Sequence, residues 1–260
     1  MTRNGRLWLF VVITLILIAI SWRLPRWPQD PTYHNFADQR AFWGISHTWD
    51  VLSNFPFAIV GAVGLAYVLN RRRSAASFEH DSERLPYVVV FAGVALTAIG
   101  SAYYHLAPGN VRLFWDRLPM TVVFTALIAA FVVDRVSVKL GLILLPPLLL
   151  SGVACLWFWR WTELRGVGDL RPYGFIQFYS AATLLLLIAL FPGRYSGTWR
   201  VSGLVGFYAL AKFLEFADKP VFRVLHFVSG HTLKHLSAAA ASWWIYLLVR
   251  DRRVRTEATQ

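Results

Sequence analysis

The chain has 260 residues, 57% of them hydrophobic and 15% charged, with a net charge of +12 and a mean hydropathy of +0.48. A soluble domain carries about 25% charged residues, and 14 acidic side chains are too few to solvate a globule of this size. A soluble enzyme, a disordered tail and a disulfide scaffold are therefore set aside, and the single cysteine, Cys155, excludes an internal disulfide or a Cys-based zinc finger.

The composition predicts an all-α integral membrane protein. A bilayer-crossing helix needs about 20 mostly apolar residues. Such stretches occupy residues 7–22, 49–69, 86–105, 118–133, 140–159, 172–191, 201–216 and 231–249. The first follows Arg3 and Arg6 but lacks a small-residue cleavage site, so it reads as an uncleaved anchor rather than a signal peptide. The fourth and seventh are short. Pro146 and Pro147 inside the fifth predict a kink. No long polar segment separates the spans. The expected organisation is a cytoplasmic stub and anchor helix over 1–24, one membrane domain over 25–250, and a basic cytoplasmic tail over 251–260.

Eight spans put both termini on one side. With the N-terminus inside, the dense clusters Arg71-Arg72-Arg73 and Arg250, Arg252, Arg253, Arg255 fall on the cytoplasmic face, as the positive-inside rule requires. The +12 then reads as a topology signal, and no nucleic-acid partner is expected. The same topology places His34, His47, His105, His226, His231 and His235 at the outer face and His80 alone inside. Asp50, Ser53, Asn54, Ser101, Asp116, Lys212, Glu215 and Asp218 gather at that outer face too. Polar groups at membrane depth are costly and mark functional cavities. Wet interfaces account for His34 and His47, but less well for Ser101, Lys212, Glu215 and His235.

Three motifs stand out. His231-Thr-Leu-Lys-His235 places two imidazoles on one helix face, within reach of one metal ion. The pattern is weak alone. Ser101-Ala-Tyr-Tyr-His105 repeats the spacing with a hydroxyl and an imidazole; an interfacial serine and a helix-terminal histidine would give the same string. Asp116 opens the fourth span just before Pro119, which reads either as helix capping or as an acid at the site. Three histidines from two helices give zinc three protein ligands and one open position, the pattern of a catalytic centre. Thr232 stands where zinc proteases carry their base, so Asp116 is the candidate general base and Ser101 the candidate oxyanion donor.

Taken together, these residues resemble the CREST superfamily of membrane hydrolases. Ser-x-x-x-His at one helix end, Asp at the next helix start and His-x-x-x-His on the last helix carry the resemblance. The strings Phe36-Ala-Asp-Gln-Arg40, Trp49-Asp-Val-Leu-Ser-Asn-Phe-Pro-Phe57, Gly100-Ser-Ala-Tyr-Tyr-His105, Trp115-Asp-Arg-Leu-Pro-Met-Thr121 and Ser229-Gly-His-Thr-Leu-Lys-His-Leu236 are similar to the bacterial, ceramidase-like branch of the alkaline ceramidases. The resemblance covers residues 33–249. It implies a seven-helix CREST-type bundle preceded by one extra N-terminal helix, and zinc on His105, His231 and His235 with Ser101 and Asp116 completing the site. It implies an enzyme that hydrolyses the amide of a ceramide-like lipid drawn from the bilayer. Calcium is implied for eukaryotic members, but the segment with Asn35, Asp38 and Asp50 carries His47 where an acid is expected, which argues against it. Glu215 reads either as a partner to a zinc-bound histidine or as an ion pair with Lys212. Two rival readings remain: a non-catalytic zinc-containing lipid receptor of the same superfamily, and a transporter. The absence of inverted repeats and of mid-membrane polar residues counts against the transporter.

Overall fold

The computed structural model describes residues 1–255; residues 256–260, half of the basic tail, lie outside the described residues. Among the described residues the fold is all-α, with no named strand. Helix α1 runs Arg3–Arg23. A short turn and loop lead to α2, Thr48–Leu52, and α3, Phe55–Leu69. Then come α4, Arg84–Leu106; α5, Asn110–Arg135; α6, Val138–Leu164; α7, Arg171–Leu190; α8, Val201–Phe216; α9, Asp218–Leu225; and α10, Gly230–Asp251. Each expected apolar stretch is mainly helical, with 49–69 divided between α2 and α3. Six helical segments, α1, α2–α3, α4, α5, α6 and α7, are long and apolar enough to cross a membrane. The chain is a multi-pass membrane protein.

Position in the bundle follows from how far each helix hides its apolar surface. The apolar stretch of α5 is 72% buried and that of α1 is 0% buried, so α5 is the central post and α1 a peripheral helix. Helix α5 packs on α4, α6 and α7, and α10 packs on α8 and α3. Trp8, Leu15 and Ile16 of α1 point outward, a surface suited to lipid rather than water. A bond of 2.7 Å between Thr14 Oγ1 and Tyr179 Oη ties α1 to α7. At one end of the bundle Tyr87, Val90, Phe91, Ala129, Ile245 and Val249 form the main core.

One local expectation needs correcting. Pro119 lies inside α5, which begins a full two turns earlier at Asn110, so Asp116 is not a helix cap. Its N-terminal position in the apolar run misled, because Arg112, Asp116 and Arg117 interrupt the apolar residues of the first turns of α5 and shorten the hydropathy signal. Helix α6 continues through Pro146 and Pro147 as one helix of 27 residues; neighbouring helices can hold a proline-containing segment helical in a membrane.

The C-terminal segment is more firmly held than a basic tail suggests. Arg252 is 1% exposed. It donates to Asp134 Oδ2 at 2.7 Å, to Tyr87 Oη at 3.0 Å and to the Ser77 carbonyl at 2.6 Å, between the rings of Phe78, Tyr87 and Tyr195. Val254 then pairs with Tyr195.

Candidate metal centre

The site begins with two glycines. Gly100 in α4 approaches α5 so closely that a Cβ there would sit 2.3 Å from the Trp115 carbonyl oxygen. That approach brings Ser101 and His105, on the next turn of α4, against the stretch of α5 carrying Asp116. Gly230 does the same for α10, where a Cβ would lie 2.6 Å from the Leu214 carbonyl oxygen. The start of α10 can therefore nestle at the junction of α8 and α9, where Asp218 Oδ1 accepts from the His231 backbone N–H at 2.8 Å. Asp218 Oδ2 accepts from the Ala37 N–H at 2.9 Å. One carboxylate thus fixes both the loop and the helix start.

The result is a cluster of three imidazoles. His105, His231 and His235 are 1%, 3% and 4% exposed, and their candidate ligand atoms all lie within 4.8 Å of one another. The Nε2 atoms of His105 and His231 are 3.3 Å apart. Two ligands at about 2.0–2.1 Å from a tetrahedral ion would be separated by roughly 3.3–3.4 Å, so this spacing fits a shared metal ion. His235 Nδ1 is held by Ser53 Oγ at 2.8 Å, and Ser53 also donates to the Asp50 carbonyl at 3.1 Å. The Asp50 carboxylate accepts from Thr232 Oγ1 at 2.7 Å, which steadies the residue between the two helical ligands. Phe36 packs its ring against both His105 and His231, with centroids 4.7 and 4.4 Å away, and shields the cluster from water.

Ser101 and Asp116, 3% and 8% exposed, line a cavity of about 100 Å³ beside His235 and Lys234. Phe57, Val94, Phe124, Leu127 and Ile245 form its apolar walls. The sequence motifs thus meet: the structure brings Ser101, His105, Asp116, His231 and His235 to one end of the bundle. The other histidines there have separate roles. His34 bridges Tyr104 Oη and Asn110 Oδ1 at 2.8 and 2.9 Å, and His47 bonds the Asp38 carbonyl at 3.1 Å.

Glu215 takes the ion-pair reading. It pairs with Lys212 and with Lys234, the latter at 2.9 Å, and accepts from Tyr33 Oη at 3.1 Å. Lys234, Phe36 and Ser53 were not assigned roles at the site from sequence; only the position of Lys234 between two candidate ligands pointed to it. Asp38 is engaged by Arg40 at 2.6 Å, and Asn35 Oδ1 accepts from Gln39 at 2.9 Å. Among the described residues the other group with metal-ligating atoms in reach is Glu79, His80 and Glu83 at the opposite end, and Arg194 forms ion pairs with both of its acids.

No curated protein matches the chain. The family model described as the dsRNA-gated channel SID-1 matches residues 7–136, which run from α1 through α5 and include Ser101, His105 and Asp116. His231 and His235 lie beyond the match. This finding corrects the assignment to the alkaline ceramidase family of the CREST superfamily. With it fall the zinc-dependent amide hydrolase, the zinc lipid receptor offered as its alternative, the ceramide-like substrate and the sphingolipid role. The expectation of no nucleic-acid partner falls as well, since the family is described by its gating with dsRNA. The physical reason is that a metal-ligand constellation can sit on proteins of different activity, and a charge excess reads equally as topology or as affinity for a polyanion. The match spans half of the 260 residues, and the chain belongs to the dsRNA-gated channel SID-1 family.

Proposed function

We propose that the protein acts in the passage of double-stranded RNA across a membrane, as a channel or transporter with a zinc centre at one end of its bundle. The observation that carries this reading is the family match over α1–α5 on a multi-pass helical protein. The charge balance supports it: 26 basic against 14 acidic side chains favour a polyanion whose binding is dominated by phosphate contacts.

His105, His231 and His235 would hold the zinc. A zinc ion bound there would cross-link the helices that carry its three protein ligands. In this chain it would clamp the end of α4 to the start of α10, the two helices that flank the cavity. Ser53 orients His235 through Nδ1. Such outer partners fix ring orientation and raise affinity. Asp116 and Ser101 would be hydrogen-bonding groups in the cavity beside His235. In membrane orientation, both termini would be cytoplasmic and the zinc centre would face the exterior or periplasm, with the basic clusters Arg71–Arg73 and Arg250–Arg255 inside.

The test is uptake of fluorescently labelled dsRNA by cells making the protein, with single-stranded RNA and DNA duplexes of the same sequence as controls. Selective accumulation of dsRNA over vector-only cells is expected, and equal accumulation in both cell lines refutes the reading. Elemental analysis of the purified protein should find close to one zinc per chain, lost in His105→Ala, His231→Ala and His235→Ala. Retention of zinc in all three variants refutes the centre.

A further inference from the structure

We propose that the end of the bundle opposite the histidines carries a site for the phosphate of an anionic phospholipid head group, bound as a resident ligand. An open cavity of about 620 Å³ lies between the start of α1, the end of α5, the end of α7 and the C-terminal segment. Arg6, Arg135 and Arg255 line it, and among the described residues no acidic side chain does. Among the described residues, none of these three guanidiniums has a carboxylate within ion-pairing distance, whereas Arg40, Arg84, Arg171, Arg194, Arg200 and Arg252 all do.

The site is built rather than incidental. Arg135 is fixed by two bonds, from Nη1 to the Phe191 carbonyl at 2.8 Å and from Nη2 to Thr198 Oγ1 at 2.7 Å. Arg255 is placed by its backbone N–H, which donates to the Arg194 carbonyl at 2.8 Å. Three like charges gathered without a counter-ion repel one another, and an anion relieves that repulsion. Guanidinium groups match phosphate oxygens through paired N–H donors.

Location and wall chemistry select the source of the phosphate. Helices α1, α5 and α7 are membrane-crossing candidates, so the place where their ends meet lies at the bilayer surface, at head-group level. Ile188, Leu190, Phe191 and Pro192 form the rest of the lining, an apolar face that a lipid's glycerol and upper acyl carbons can cover. Free phosphate would leave that face bare, and a stiff RNA duplex would not enter between helix ends. Basic pockets between helices at a membrane face are suited to anionic head groups.

The experiment is thermal unfolding of the purified full chain in a neutral detergent. Dioleoylphosphatidylglycerol, dioleoylphosphatidylcholine, inorganic phosphate and a short dsRNA duplex are titrated separately. Phosphatidylglycerol is expected to raise the melting temperature saturably, while phosphatidylcholine and inorganic phosphate leave it unchanged. Arg6→Gln and Arg255→Gln remove side chains that make no hydrogen bond among the described residues, so the fold is kept. Each should weaken phosphatidylglycerol by about fivefold. Equal effects of the two lipids, a full effect of inorganic phosphate alone, displacement of phosphatidylglycerol by the duplex, or undiminished affinity in both variants each overturns the proposal.

Discussion

Gly100→Ala tests how the metal centre is assembled. The new methyl carbon would lie 2.3 Å from the Trp115 carbonyl oxygen, 3.1 Å from its carbon and 3.3 Å from the Pro119 ring. Ordinary carbon–oxygen contacts lie near 3.3 Å, so α4 and α5 must separate by roughly 1 Å. The oxygen belongs to the backbone of the most buried helix, and it cannot swing aside as a side chain would. Overpacking of this kind costs about 1–3 kcal/mol, and alanine's better helix propensity returns about 0.5–1 kcal/mol, leaving a net loss of up to about 2.5 kcal/mol. Ser101 and His105 ride on the displaced turn, so zinc affinity falls with stability. Gly206→Ala is the matched control: a Cβ there meets nothing within 4 Å, and the change should stabilise by about 0.5–1 kcal/mol. Thermal unfolding in detergent, with zinc quantified on the same samples, reads both effects. If Gly100→Ala melts with Gly206→Ala and keeps its zinc, close approach of α4 to α5 does not build the centre.

Other predictions follow from the same coordinates. Ser53→Ala removes the partner of His235 Nδ1 and should weaken zinc by about 10–100-fold in a chelator competition; unchanged affinity means Ser53 does not orient the ring. Asp134→Asn leaves Arg252 buried without its counter-ion, at a cost of about 3–5 kcal/mol, and a loss under about 1 kcal/mol in thermal unfolding contradicts that role. Burial alone would raise the Asp38 carboxyl, but the hydrogen bonds and charge of Arg40 outweigh it and hold the group below the usual carboxylate range. A depressed carboxyl stabilises the fold above its unfolded value near 4 and loses that contribution as pH falls through the lower folded value. Arg40 also donates to the Phe227 carbonyl at 2.9 Å, so hydrogen exchange around residues 36–40 and 226–229 should quicken on acidification below about pH 4. Asp38→Asn should show the fast exchange already at neutral pH, and a pH-independent profile in the native protein refutes the link.

Much of the candidate centre was legible because helical spacing is a local property. His231 and His235 share a face whatever surrounds them, and Ser101 and His105 likewise. What spacing could not supply was the start of α5. Its first two turns hold Asn110, Arg112, Asp116 and Arg117, which interrupt the apolar residues there and shorten the hydropathy signal, so Asp116 looked like a cap and proved to be an interior helical residue facing a cavity. Glu215 was ambiguous for a related reason. Its i,i+3 relation to Lys212 is visible in the chain, but its second cation, Lys234, arrives from another helix. The activity was the least legible of all. Short metal-type motifs describe which groups can meet, and the family finding shows that here they belong to a channel family.

The amino-acid sequence alone determined a helical membrane protein, because hydropathy and the 1.5 Å rise of the α-helix fix span length residue by residue. It also determined which side chains share a helix face. Only the tertiary structure decided that α4 and α10 place three histidines within 4.8 Å, since that depends on glycines allowing backbone contact between helices far apart in the chain. It alone gathered Arg6, Arg135 and Arg255 around one cavity that no acidic side chain lines among the described residues. The charge excess that opened as a bare sum became two different things, paired and buried at Arg252 and unpaired at the mouth of that cavity, because a charge acquires its energy from its neighbours.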